Sequence, residues 1–305
     1  MAEVGYVGTR GVDLERIDDV NRVSGDLLDG RLDRLNRNFD VLLFVTNGVS
    51  SRYDALTAEV RREMNGGFSV VGNYRWSKWT DTGSDTSTGQ FQDVSEPGKG
   101  AQEIACLGCE SGRSMFDVPH RLSVSSLWMV GDLAGGGRVV GALARHWQLA
   151  AIVTAQSGRP FSVWNGASFA AGGDYNADGG GGAVGGGFYD RPNAPPAGTP
   201  TTFATDQFLS GILPASLFAK PTPGTNGTLG RNTFRGPRYV TLDLSLTRNF
   251  QMGGSRVLQV RTDVYNALNN LNLFLPNVDL SVSNFGRSTQ AFDARAVQVG
   301  VRVLF

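Results

Sequence analysis

The sequence predicts an all-β fold built from long, amphipathic, antiparallel strands. In a series of segments along its 305 residues, apolar residues fall on every second position, and polar or charged residues take the positions between. Connections alternate between tight glycine turns and very long loops. Strict alternation over about ten residues is the signature of a strand with two unlike faces.

Taken in chain order, the first element is a short strand around Val4–Gly8, flanked by the charged "DLERIDDVNR". "YDALTAEVRR" (53–62) sets Leu56, Ala58 and Val60 against Thr57, Glu59 and Arg61. "FSVVGNYRWSKW" (68–79) sets Phe68, Val70, Tyr74 and Trp76 against Ser69, Asn73, Arg75 and Ser77. "RLSVSSLWMV" (121–130) alternates Leu122, Val124, Trp128 and Val130 with Arg121, Ser123 and Ser125. "RHWQLAAIVTAQ" (145–156) does the same with Trp147, Leu149, Ala151 and Val153. "YVTLDLSLTRNF" (239–250) puts Val240, Leu242, Leu244, Leu246 and Phe250 on one face, and Thr241, Asp243, Ser245, Thr247 and Asn249 on the other. "RVLQVRTDVYNAL" (256–268) and the terminal "AVQVGVRVLF" complete the series, about 8–11 strand candidates in all.

These segments exceed the usual strand of about 5–6 residues and match the roughly 9–11 residues of a tilted bilayer crossing. Charged residues lie near strand middles on the second face: Glu59, Arg75, Asp243, Arg261, Asp263. A soluble sandwich would give that face to bulk water; a transmembrane barrel would give it to a wet lumen and the apolar face to lipid. Composition is compatible with both. Trp76, Trp79, Trp128, Trp147, Trp164, Tyr53, Tyr74 and Tyr239 lie near strand ends, as interfacial girdles or as ordinary core aromatics.

Charge narrows the function classes. Lys+Arg and Asp+Glu are 28 each, so the formal net charge is zero and no basic face for nucleic acid is expected. The N-terminal "MAEVGYVGTRG" has neither the basic nor the apolar region of a secretory signal. Histidines are only His120 and His146, in no nucleophile arrangement, and no Gly-Lys-Ser/Thr follows the glycine run, so no enzyme is expected.

Two long loops stand out, at about 80–118 and 165–236. The second is rich in glycine and proline, is expected to be mobile, and offers no packed core of its own. It contains "DYNADG", in which Asp174, Asn176 and Asp178 place oxygen ligands at alternate positions before Gly179, the opening of a calcium loop. Gly185 stands where the closing glutamate belongs, leaving Asp190 as the substitute. A plain solvated Gly/Asn/Asp loop is the alternative.

The series "FDVPHRL" (116–122), "WQLAAIVTAQSGRPFSV" (147–163), "YDRPN" (189–193), "LGRNTFRGPRYVTLDLSLTRNF" (229–250), "LQVRTDVYNALNNLNLFLPN" (258–277) and "FGR" (285–287) resembles the Oar-like TonB-dependent outer-membrane receptors, the group with a carboxypeptidase-regulatory-like domain. "YVGTRGVDL" (6–14) and 51–81 also resemble that family's barrel strands. The resemblance implies that residues 1–305 form the C-terminal part of an antiparallel transmembrane β-barrel with long extracellular loops, in the outer membrane, serving uptake of an unidentified nutrient. It implies outer-membrane lipid and the barrel-assembly machinery as partners, with the TonB complex engaged only by a full-length receptor. Val297, Val299, Val301, Val303 and Phe305 resemble the insertion signal that the assembly machinery reads.

Such receptors carry a signal peptide, a regulatory-like domain and a plug ahead of 22 strands, and none of these is seen here. The expectation is therefore a fragment whose sheet stays open. The alternatives are a small structural or adhesive outer-membrane barrel and a soluble carbohydrate-binding β-sandwich. Cys106 and Cys109 form a C-x-x-C pair that, on an extracellular loop in an oxidising compartment, favours a local disulfide. Zinc held by Cys106, Cys109 and His120 is the alternative. No other cofactor is expected.

Overall fold

The computed structural model describes residues 1–21, 35–39, 42–84, 102, 106–130, 146–165, 190–222 and 225–305. Eight long strands form one antiparallel sheet: β1 (Ala2–Asp19), β2 (Leu43–Asn65), β3 (Phe68–Asp81), β5 (His120–Val130), β6 (Trp147–Gln156), β9 (Tyr239–Gln251), β10 (Val257–Tyr265) and β11 (Ala296–Leu304). Each pairs with the next in that order, and the two-residue β4 (Gly112–Arg113) adds to the end of β3. The remaining strands, β7 (Pro160–Phe161) and β8 (Phe234–Arg235), pair with each other outside the sheet. Within the described residues β1 pairs only with β2, and β11 only with β10, so the sheet is open.

The turns explain this register. Asn65 faces Phe68 across Gly66 and Gly67, both at positive φ, a two-residue hairpin whose twist matches the strands. Gly67 is also fixed by packing, because an added Cβ would lie 2.5 Å from the Met129 carbonyl. Met252–Arg256 closes the β9–β10 hairpin at the same end, with Gly253 and Gly254 at positive φ. The β1–β2, β3–β5, β6–β9 and β10–β11 connections, all long, leave from the other end, while the β5–β6 connection, residues 131–146, lies at the tight-turn end.

The alternation survives as two continuous faces. Cross-strand partners share a face, and the register links Tyr6 to Leu56 to Trp76, and Val124 to Val153 to Leu242. It links Ala151 to Leu244 to Val264 to Val297 likewise. One face is therefore apolar across the whole sheet, and the opposite one carries Glu59, Arg75, Ser123, Thr154, Asp243, Asp263 and Gln298. On the apolar face Val60 is 56% and Trp76 58% exposed, so no second sheet covers it. The buried apolar cluster of Phe161, Val163, Trp164, Phe208, Ile212, Phe218, Leu229, Phe234, Leu273, Val278 and Phe285 contains no residue of the eight long strands. A sandwich would bury one sheet face against another. Here the sheet is a wall, and the core lies in the loops beyond it.

Several expectations change. The first strand spans 18 residues instead of Val4–Gly8, because register shifts between Gly11 and Glu15 carry it through the charged stretch. The described part of 165–236 is packed, its phenylalanines and leucines joining residues 273–285 in that core. Glycine and proline content masked this, since the apolar anchors are sparse and far apart in sequence. The aromatics divide: by register Trp76, Tyr74, Trp128 and Trp147 lie on the apolar face, Trp79, Tyr53 and Tyr239 on the polar face, and Trp164 is buried in the loop core.

Candidate binding site at the mouth of the sheet

The height of the apolar face is set by charges. Arg248 lies over the rings of Trp147 (5.0 Å) and Phe250 (4.6 Å) at the tight-turn end of β9. Arg238, exposed, precedes the same strand at its other end. Ten residues at roughly 3.3 Å each, tilted by about 40°, span roughly 25 Å of membrane normal, the height of a barrel's lipid-facing band. Above the band on the same face, Asp54 accepts from Tyr6 Oη (2.6 Å) and Arg52 Nε (2.7 Å).

Beyond the band, three long connections fold into a cap fastened by buried ion pairs. Arg191 donates from Nη1 and Nη2 to Glu110 Oε2 (2.7 Å) and Oε1 (2.9 Å), and from Nε to the Leu229 carbonyl (2.9 Å). Gln102 bridges the same joint: its N–H donates to Glu110 Oε1 (3.1 Å) and its Oε1 accepts from the Arg191 N–H (2.9 Å). Arg231 pairs with the Asp81 carboxylate and reaches Ser84 Oγ (2.9 Å) and the Glu110 carbonyl (3.0 Å). Arg235 pairs with Asp117, whose Oδ1 accepts from the Trp79 N–H (2.7 Å). Buried charges are retained only when paired and hydrogen-bonded, and these pairs tie the β3–β5 and β6–β9 connections to the rim of the sheet. Burial, with Arg235 close by, holds the Arg113 guanidinium below its usual value, while its Nη1 donates to the Thr233 carbonyl (2.6 Å). Cys106 and Cys109 form a disulfide across the turn Leu107–Glu110 that presents Glu110. Both sulfurs are thus engaged, and His120 Nδ1 meets Tyr74 Oη (2.7 Å), so these residues do not assemble as a zinc site.

The β10–β11 connection is held by asparagines. Asn272, 3% exposed, accepts at Oδ1 from the Val240 N–H (2.8 Å) and donates from Nδ2 to the Val240 carbonyl (3.0 Å), standing in for a neighbouring strand where β10 has ended. Asn266, in the left-handed region at φ 47°, bonds the backbone of Asn270 and Asp293. Side chains that imitate backbone groups explain this asparagine-rich segment.

Between this connection and the ends of β6 and β9 lies a cavity of about 720 Å³. Its walls include Gln156 and Tyr239, which are register partners on the polar face, together with Trp164, Phe274, Gln290 and Phe292. Phe292 stacks on Phe274 at 4.2 Å and meets Tyr239 edge-on at 5.1 Å. A pocket of this size, apolar-walled with a few polar groups, suits a small molecule. Sequence reasoning missed both the cavity and the ion pairs. Arg191, Arg231, Arg235, Tyr239 and Phe274 were visible as charges and aromatics inside "YDRPN", "LGRNTFRGPRY" and "NLFLPN", without their partners.

A family model for the outer membrane beta barrel domain matches residues 1–298. The chain belongs to that family. This places it in the outer membrane and overturns the soluble sandwich, in agreement with the uncovered apolar face of the sheet. Among solved structures, the outer membrane transporter YddB from Escherichia coli is similar over 99% of this chain, at 12% identity and a TM-score of 0.40. The chain spans 30% of that protein's length. No match was found among curated proteins.

The remaining sequence-derived sites divide. Val297, Val299, Val301 and Val303 occupy the apolar face of β11 and are 48–67% exposed, with Phe305 after them at the tight-turn end. Asp174, Asn176 and Asp178 lie outside the described residues. Asp190 is buried, its carbonyl accepting from the Asn165 N–H (2.9 Å).

Proposed function

We propose that this chain forms part of the wall and extracellular cap of a TonB-dependent outer-membrane transporter for a nutrient. The observation that carries the reading is a sheet with lipid-type chemistry outside, charged and amide groups inside, open edges, and a capped cavity at its mouth. The Oar-like resemblance supports coupling to TonB in the full-length receptor. The barrel-assembly machinery is the proposed reader of the final strand, and no enzymatic role is assigned.

Open edges matter because unpaired N–H and C=O groups in hydrocarbon cost several kcal/mol each, by order of magnitude. Further strands would have to meet β1 and β11. Expressed alone behind a signal peptide, the chain should give no heat-modifiable, protease-resistant band. A resistant species that conducts ions in liposomes would refute the reading in favour of a small self-closing barrel.

A further inference from the structure

We propose that the 720 Å³ cavity between the β6 and β9 ends and the β10–β11 connection is a binding subsite for a neutral saccharide segment. The assignment deepens the transporter reading and rests on it for its biological role, although binding itself needs no transport.

Charge is the first argument. Among the described lining residues only Asp279 and Arg159 are charged, and both are engaged. Asp279 Oδ1 accepts from the N–H and Oγ of Ser281 (2.7 and 2.6 Å). Arg159 donates from Nε to the Met115 carbonyl (3.1 Å), its guanidinium 5.9 Å from the Phe116 ring centre. One charge of each sign leaves the described lining neutral. A phosphate, an anionic chelate or a cationic ligand would find no concentrated counter-charge to offset its desolvation.

The second argument is the mixture of surfaces. Tyr239, Phe292 and Phe274 form a continuous aromatic ladder, and the two phenylalanines are 45% and 41% exposed. Gln156, Ser157, Thr289 and Gln290 add neutral hydroxyl and carboxamide groups to the lining. A purely apolar ligand would strand those groups without partners. A sugar ring has C–H faces for the aromatic rings and hydroxyls at its edge for the amides, so it satisfies both.

The third argument separates saccharide from peptide. Extended peptides are commonly held by main-chain bonds to a free strand edge. Here the backbone is already committed. The N–H of Trp164 bonds the Val278 carbonyl and its carbonyl accepts from Leu280, while the Phe274 N–H bonds Gln290. Gln156 and Tyr239 face each other in the β6–β9 pairing. Recognition must therefore run through side chains. The frame that presents them is fixed by Asn272 on β9 and by the Trp164–Asp279 bridge, which favours binding by pre-organisation.

The test is calorimetric titration of the full chain in detergent micelles with maltotriose, cellotriose and chitotriose, beside the tripeptide Ala-Phe-Ala. At least one trisaccharide should bind saturably. Phe292→Ala should weaken it by up to about tenfold, and Gln290→Leu severalfold, whereas Trp128→Phe on the apolar face should change nothing. Phe292 and Gln290 are exposed, and unchanged amide protection of the cap verifies folding. The proposal is overturned if no trisaccharide binds, if both variants bind like the wild type, if Ala-Phe-Ala binds in preference, or if the wild-type cap is unprotected. Saccharide binding by a chain that closes alone into a resistant, ion-conducting species would sink the reading as part of a transporter wall and leave the subsite standing. Absence of both saccharide binding and such a species would do the reverse.

Discussion

Removing the Arg191 guanidinium should open the cap without disturbing the sheet. The Arg191 and Glu110 side chains are 5% and 3% exposed and joined by two hydrogen bonds. Arg191→Met deletes both, along with the bond to the Leu229 carbonyl, and leaves a buried carboxylate that still accepts from the Gln102 N–H. Breaking one side of a buried pair costs about 3–5 kcal/mol, most of it the uncompensated charge. Arg191→Met/Glu110→Met removes both charges and should cost less than Arg191→Met alone, so the two substitutions are strongly non-additive. Amide hydrogen exchange reads this locally through the N–H groups of Leu229, Asn193 and Phe218, bonded to Pro192, Ala219 and Ala215. At about 1.4 kcal/mol per tenfold, their exchange should quicken by roughly 140-fold to several thousandfold, while amides of β6 and β9 keep their protection. A change below about tenfold, or strictly additive costs in the double variant, would refute the view that this pair locks the cap.

Two further outcomes follow from the division between wall and cap. Leu244 lies close to midway between Arg238 and Arg248 on the apolar face, so Leu244→Arg should destabilise the membrane-inserted chain by about 2–4 kcal/mol and Val240→Arg, near the rim, by about 0–1. Urea titration in vesicles measures the difference, and cysteines at 244 and 245 should react with lipid-soluble and water-soluble reagents respectively. Equal costs, or uniform aqueous labelling, would contradict a lipid-facing strand. Phe161 is fully buried in the cap core against Phe234 (5.8 Å), so Phe161→Ala should cost about 3–5 kcal/mol, seen as lost cap protection with the sheet intact. Loss of the sheet together with the cap would show that the two are one cooperative unit.

The wall is legible in the sequence alone. Strand faces follow from a period of two, a property of neighbouring residues, so "YVTLDLSLTRNF" shows its apolar and polar sides without any partner. The turns were legible for the same reason: Gly66–Gly67 and Gly253–Gly254 adopt backbone angles that other residues avoid. Even here, β1 was misjudged, because its length depends on pairing with β2. The cap was not legible. Arg191 meets Glu110 across 81 residues and Arg231 meets Asp81 across 150. Asn272 imitates a strand only because β10 ends where Val240 still has groups to satisfy. Such partners share no local period, since their pairing is decided by which chain segments the folded sheet brings to its mouth. The tertiary structure alone therefore decided which charges are buried, which loop residues form the core, and where the cavity lies.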